Sequence, residues 1–285
     1  MDFGETFAPT VSSFCVRLLS AIVCELDLDV CHFDVEQAFV QSKLDEDVFL
    51  RLPRGCGRLY GKIVRLNKSL YGLKQASRSW HAHLTTCLKI LGFQQCLEDA
   101  CVFRLVEEGR VAIIVVVHVD DIFAVGLKSR CDVLRDELNG MVPVKNLGEL
   151  RWYGGCHYTR ERATGTLTIS QKKFADELVK KNCVTCTQSV PLRVGIKLEE
   201  FNENEKVENW PFRELVGSLM WLSTTRTDIA NAVRAVARYC TAPRAIHWKE
   251  ALGILEYIKA VVNTVGGLLA SRRVFCWLPF VFFCS

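Results

Sequence analysis

Charge of one sign is scarce in this chain. Its 36 lysines and arginines against 32 aspartates and glutamates leave a net charge of only +4, compatible with a polyanionic partner but short of the dense basic face common in nucleic-acid binders. Apolar residues at 49% and charged residues at 24% exclude a disordered polypeptide. Internal repeats and low-complexity tracts are absent, which leaves one large or two modest packed domains in 285 residues. The most apolar segment, Val274 to Phe283, is about half a membrane span and is interrupted by Pro279, so no membrane partner is expected. No secretory signal opens the chain, and its 14 cysteines are irregularly spaced. Free, mostly buried thiols in the cytoplasm are therefore expected rather than a disulfide framework. Cys183-Val184-Thr185-Cys186 is the one CxxC, and it lacks two further ligands at a spacing that suits structural zinc.

What the sequence does contain is an acidic pair in an apolar setting. Asp120-Asp121 follows the seven-residue apolar run Val111 to Val117 and precedes Ile122-Phe123-Ala124-Val125, a pattern predicting a buried β-hairpin with two carboxylates at its turn. Desolvating two like charges side by side raises at least one pKa unless a cation neutralises them, so a divalent metal fits the pair. A solvated acidic turn joining two core strands fits it as well.

Around this hairpin the periodicity alternates between helix and strand. Trp80, Leu84, Leu88 and Leu91 predict an amphipathic helix over Ser77 to Phe93 closed by Gly92. Leu134 and Leu138 predict another, ending at Asn139-Gly140. Leu167 and Ile169 predict a strand over Thr166 to Ser170 that leads into a helix burying Phe174 and Leu178. Residues 193–209 are polar and aperiodic and predict a linker. Beyond them, Ile229, Val233, Val236 and Cys240 form one helical face, and Trp248, Leu252, Leu255 and Val262 another.

A second carboxylate lies upstream, in Phe33-Asp34-Val35-Glu36-Gln37-Ala38-Phe39. With His118-Val119-Asp120-Asp121, Ser69-Leu70-Tyr71-Gly72-Leu73-Lys74-Gln75-Ala76 and Leu147-Gly148-Glu149-Leu150, these segments resemble the reverse transcriptases of Ty1/copia-type retrotransposons. The resemblance begins at Asp2-Phe3-Gly4-Glu5, continues through Thr166 to Lys173 and Leu215 to Met220, and fades after Gly266-Gly267-Leu268-Leu269. It covers roughly nine tenths of the chain, and several colinear motifs are far more specific than any one. It implies an α+β fold: a reverse-transcriptase-like palm with partial fingers and a helical thumb-like C-terminal region. The corresponding divisions are 1–192 for partial fingers, palm and primer-grip-like segment, 193–209 for the linker, 210–269 for the thumb- or connection-like helices, and 270–285 for an atypical apolar tail.

The resemblance also implies chemistry: RNA-directed DNA synthesis on a primed RNA or DNA template from deoxynucleotides. Asp34, Asp120 and Asp121 would be the catalytic carboxylates and the ligands of Mg2+ or Mn2+, hard cations that take oxygen donors. Phe39 would pack under the sugar and exclude a 2′-hydroxyl, or else serve only the core. Lys74, Gln75 and Arg78 would contact template or nucleotide, and Gln171, Lys172 and Lys173 would steady the primer strand through its phosphates. Lys145 is a proton donor to pyrophosphate or a surface lysine.

Departures from the family pattern accompany the match. His118 stands where a tyrosine usually precedes Val-Asp-Asp, Tyr153-Gly154-Gly155 replaces a large apolar residue before a single glycine, and Thr227 replaces a proline. Basic strands expected before Asp2 and a ribonuclease H segment after Ala270 are not in the sequence, which predicts poor polymerisation by this chain alone. The alternative expectation is a catalytically impaired retrotransposon remnant acting at most as a nucleic-acid-binding protein.

Overall fold

A computed structural model describes residues 6–198, 210–261 and, for the backbone alone, 268–271. The apolar run centred on Val115 has no side chain to offer water on either face. It forms an inner strand of an antiparallel sheet, buried from Ile113 to Val117.

The chain divides by packing into two compact units, between Leu150 and Arg151. In the first, helix α1 (Ser13–Glu25), strand β1 (Asp29–Val35), the hairpin β2 (Lys43–Arg51) and β3 (Ile63–Lys68), and helix α2 (Ala76–Ile90) come in order. They are followed by β4 (Gln94–Gln95), β5 (Val102–Glu107), β6 (Arg110–His118), β7 (Asp121–Gly126), α3 (Lys128–Asn139) and β8 (Val144–Glu149). The main sheet has the order β4-β5-β6-β7-β1-β8, while β2 and β3 pair only with each other. Alternation along β1 sends Cys31, Phe33 and Val35 into the core beneath α2 and α3, with Trp80, Leu84, Leu88, Leu134 and Leu138. The intervening residues His32 and Asp34 take the opposite face of the strand.

The helix expected over Ser77 to Phe93 is present as α2, and Gly92 follows it at φ +87°, a left-handed conformation that costs glycine little. The hairpin β6–β7 and helix α3 also stand where the periodicity placed them.

The second unit contains β9 (Trp152–Tyr153), β10 (Cys156–Glu161), β11 (Thr166–Ser170), α4 (Lys172–Lys181), α5 (Phe212–Leu222), α6 (Ala230–Ala237), α7 (Ala245–Val261) and β12 (Leu268–Ser271). Its antiparallel sheet has the order β12-β11-β10-β9. Ala175 and Leu178 of α4 share one core with Phe212, Leu219, Val233, Val236, Ile254 and Ile258. Residues 151–192 fall in the same compact unit as the C-terminal helices, a boundary at 150 where one at 192 was expected. The reason is the amphipathic face of α4, which needs an apolar partner and finds it in α5 and α7.

The expected linker lies only partly among the described residues. Over 193–198, Leu198 packs against the helical core and Arg193 pairs with the buried Glu250, so this stretch is tied down at both ends while Val194, Gly195 and Lys197 between them are exposed. Of the expected tail, Ala270 and Ser271 pair with Leu167 and Thr166 of β11; residues 272–285, like Val262 of the last helical face, lie outside the described residues.

Candidate active site

The acidic turn is built by two backbone constraints. Val119 adopts φ +59°, a conformation that costs a β-branched residue on the order of 1–3 kcal/mol. Its carbonyl accepts a hydrogen bond from Nε1 of the fully buried Trp80 at 2.5 Å, and the Asp120 carbonyl accepts one from Val35 N at 2.9 Å. Trp80 thus joins helix α2 to the turn as well as filling the core.

Strand register does the rest. Asp34 is the direct cross-strand partner of Asp121 on β7 and of Lys145 on β8, so all three share one face of the sheet. Burial, and then the like charges of Asp120 and Asp121, push the Asp34 carboxyl above its ordinary range, while His32 and Lys145 pull the other way. Such mutual repulsion is what a divalent cation relieves, and the donors are hard oxygens suited to one. The carboxylate chemistry therefore fits the expected ion. Among the described residues, however, no three His, Cys, Asp or Glu side chains converge closely enough to hold a metal. Asp121 Oδ1 instead meets His32 Nε2 at 2.8 Å, and the imidazole rests against Phe123 with ring centroids 4.9 Å apart.

Beside the carboxylates lies an aromatic pair. Phe39, in a short 3-10 turn over Ala38–Gln41, packs on Tyr71 with centroids 4.6 Å apart. The Tyr71 hydroxyl is pushed above its usual pKa by burial, then by the charges of Asp120 and Asp34. Phe39 also borders the core. His32 and Tyr71 were missed as site residues. Strand parity would have placed His32 on the face of Asp34, whereas nothing in residue spacing ties position 71 to position 39.

The remaining candidates divide by exposure. Lys74 and Arg78 are exposed and Gln75 is buried at the start of α2. In the second unit Gln171 is only 3% exposed. With its amide turned to satisfy both sides, Oε1 accepts from Trp221 Nε1 at 2.8 Å and Nε2 donates to Thr225 Oγ1 at 2.8 Å. Gln171 therefore links the start of α4 to α5 and its following turn, while Lys172 and Lys173 are exposed.

This sheet, with carboxylates on adjoining strands and at a hairpin turn, is accompanied by a match of residues 1–194 to the family described as reverse transcriptase (RNA-dependent DNA polymerase). The chain belongs to that family. More particularly, its relatives make it a reverse transcriptase domain of the Ty1/copia retrotransposon type. It is 32% identical over 92% of its length to the retrovirus-related Pol polyprotein from transposon TNT 1-94 of Nicotiana tabacum, of which it covers 21%. It is 30% identical over 90% of its length to that from transposon RE2 of Arabidopsis thaliana, covering 18% of it. The putative transposon Ty5-1 protein YCL074W of Saccharomyces cerevisiae is 29% identical over 79% of this chain and 74% of that protein. The chain spans about a fifth of the length of the two plant polyproteins. No helix among the described residues is long and apolar enough to cross a membrane.

Proposed function

We propose that this chain carries out RNA-directed DNA synthesis, adding deoxynucleotides to a primed RNA or DNA template. The observation that carries the proposal is the pairing of Asp34 with Asp121 across β1 and β7, with Asp120 in the adjoining turn. These three carboxylates would hold Mg2+ or Mn2+, drawing together around the ion from the separation they have without it. Bound there, such ions would activate the primer 3′-hydroxyl and stabilise the departing pyrophosphate.

The chain's own residues supply position and charge. Lys145, across the strand from Asp34, sets a cation beside the carboxylates and so limits their repulsion. Phe39, backed by Tyr71, forms the surface under the sugar and leaves no room for a 2′-hydroxyl. Lys74 and Arg78 offer charge-assisted bonds to template or triphosphate, with Gln75 beside them. Gln171 fixes the start of α4, whose first residues Lys172 and Lys173 offer cations to primer phosphates irrespective of sequence.

In this reading the first unit is the palm with part of the fingers, the latter represented by β2 and β3, and the helices of the second unit are thumb-like. The compartment is the cytoplasm, where the free thiols found at every described cysteine persist. Primer extension on an RNA template tests the proposal: magnesium-dependent extension by the unaltered chain, lost in Asp34→Asn, supports it. Saturable primer-template binding without extension would favour the binding-only alternative.

A further inference from the structure

Behind the carboxylate-bearing face, on the side of the sheet covered by α3, two cysteines and a lysine come together. Cys31 of β1 and Cys131 of α3 belong to the same core, 3% and 0% exposed respectively. The Cys131 thiol donates to the carbonyl of Ala124, Sγ to oxygen 3.7 Å, and Ala124 is the direct cross-strand partner of Cys31, so the two cysteines are neighbours beneath α3. Lys128, one helical turn before Cys131, donates from Nζ to Cys31 Sγ at 3.7 Å and to Asp132 Oδ1 at 2.9 Å. Its side chain is 54% exposed. The Cys31 sulfur is thus one ammonium group away from solvent.

We propose that Cys31 and Cys131 are an oxidation site: a hydroperoxide, in the simplest case hydrogen peroxide, converts Cys31 to a sulfenic acid that Cys131 resolves to a disulfide joining β1 to α3. Neither thiol takes part in the proposed polymerase chemistry.

The ammonium of Lys128, seated 3.7 Å from Cys31 Sγ, assigns the roles, because a cation at the sulfur favours its thiolate. The neighbouring Cys131 thiol lowers the Cys31 pKa against the opposing effect of burial, and the Lys128 charge lowers it further. Asp29 on its own strand and Asp132 on α3 act in the opposite direction. Cys131, deeply buried beside a second sulfur, is held above the usual thiol range. The thiolate is the nucleophile in sulfur oxidation, so Cys31 reacts first.

The chemistry balances. Cys31 thiolate attacks one peroxide oxygen; an S–O bond forms, the O–O bond breaks and hydroxide leaves, taking the proton that the thiol had released. The Cys131 sulfur then attacks the Cys31 sulfur, the S–S bond forms, the S–O bond breaks, and the departing hydroxide takes the Cys131 proton. Two thiols lose one electron each, peroxide gains both, and two waters result. Hydrogen peroxide is little larger than water, and the Cys31 sulfur lies directly beneath the half-exposed Lys128 side chain. The product ties the strand bearing Asp34 to the helix that follows the strand bearing Asp121. Closing a loop of about a hundred residues stabilises the folded state by restricting the unfolded chain.

Peptide mapping by mass spectrometry after stoichiometric hydrogen peroxide tests the proposal on the unaltered protein. The expected product is a Cys31–Cys131 linked peptide lacking two hydrogens, with a melting temperature raised by several degrees and reversed by dithiothreitol. Cys131→Ser should instead yield a dimedone adduct at Cys31. Lys128→Met, an exposed substitution, should slow Cys31 oxidation severalfold, because it removes the cation that favours the thiolate. Oxidation confined to the exposed Cys183 and Cys186, with the Cys31 and Cys131 peptides unmodified, would overturn the proposal. So would a Lys128→Met protein that oxidises at the same rate.

Discussion

Asp34 and Asp121 stand directly opposite one another on strands β1 and β7, with like charges on one face of the sheet. Opposed carboxylates of this kind destabilise a strand pair by about 0.2–1 kcal/mol, a cost that a site built to hold a divalent cation carries when the cation is away. Asp34→Asn should therefore raise the metal-free protein's stability by up to about 1 kcal/mol in urea unfolding. The same substitution should abolish the stabilisation that added Mn2+ gives the unaltered chain, because ligand binding to the folded state is what produces it. A variant less stable than the parent without metal, yet equally stabilised by Mn2+, would show that the pair is neither strained nor a ligand set.

Asp120 is the carboxylate of the turn itself, and its backbone rather than its side chain anchors the turn to Val35. Asp120→Asn should leave folding intact while weakening Mn2+ binding in calorimetry at least tenfold, through loss of one anionic oxygen ligand. Equal affinity in the two proteins would remove Asp120 from the ligand set.

Trp80 holds the turn by its indole N–H to the Val119 carbonyl. Trp80→Phe keeps an aromatic ring in the core but deletes that donor, and should cost about 1–3 kcal/mol in urea unfolding. A loss below a few tenths would mean that Val119 keeps its left-handed conformation without help.

Phe39 rests on Tyr71, so the surface proposed to lie under the sugar has an aromatic backing. In primer extension, Phe39→Val should raise ribonucleotide use relative to deoxynucleotide use, and Tyr71→Ala should shift the ratio the same way by loosening Phe39. A flat ratio in a folded, active Phe39→Val protein would leave Phe39 as core alone.

In the second unit, Asp228 receives two hydrogen bonds from Arg226, at 2.9 and 2.7 Å, and one from Tyr257 at 2.9 Å. Burial pushes its pKa up, but these donors outweigh burial and hold it below the ordinary value of 3.8. A depressed folded pKa contributes stability that is present above the unfolded value and lost as pH falls through the folded one, here from about pH 4 downward. Asp228→Asn should flatten that part of the stability-against-pH curve in denaturant unfolding. An unchanged acid limb would assign it to other carboxylates.

The helices were legible because their apolar residues repeat with the helical period, as Leu134 and Leu138 do on α3, and the hairpin because Ile113 to Val117 form an unbroken apolar run, as a strand buried on both faces requires. The carboxylates were legible as a motif, and strand parity explains why Asp34 and Asp121 share a face. What local pattern does not encode is lateral order. Nothing near Lys145 says that β8 lies beside β1, and nothing in the polar residues around 193 reveals that Arg193 pairs with Glu250 of α7. Gln171 shows the same limit. Its neighbours Lys172 and Lys173 suggested a strand-gripping segment, yet only tertiary packing shows that the amide is turned inward to Trp221 and Thr225.

The most direct measurement is extension of a labelled DNA primer on an RNA template by the purified chain, with Mg2+ present, omitted or replaced by Ca2+. The carboxylates on β1 and at the β6–β7 turn should give deoxynucleotide incorporation with Mg2+ and none in its absence, and Asp34→Asn or Asp121→Asn should lower the rate at least a hundredfold, in the range of losing one electrostatic contact to the transition state. Incorporation that survives either substitution, or no incorporation under any condition by a folded chain that binds the primed template, would contradict the account.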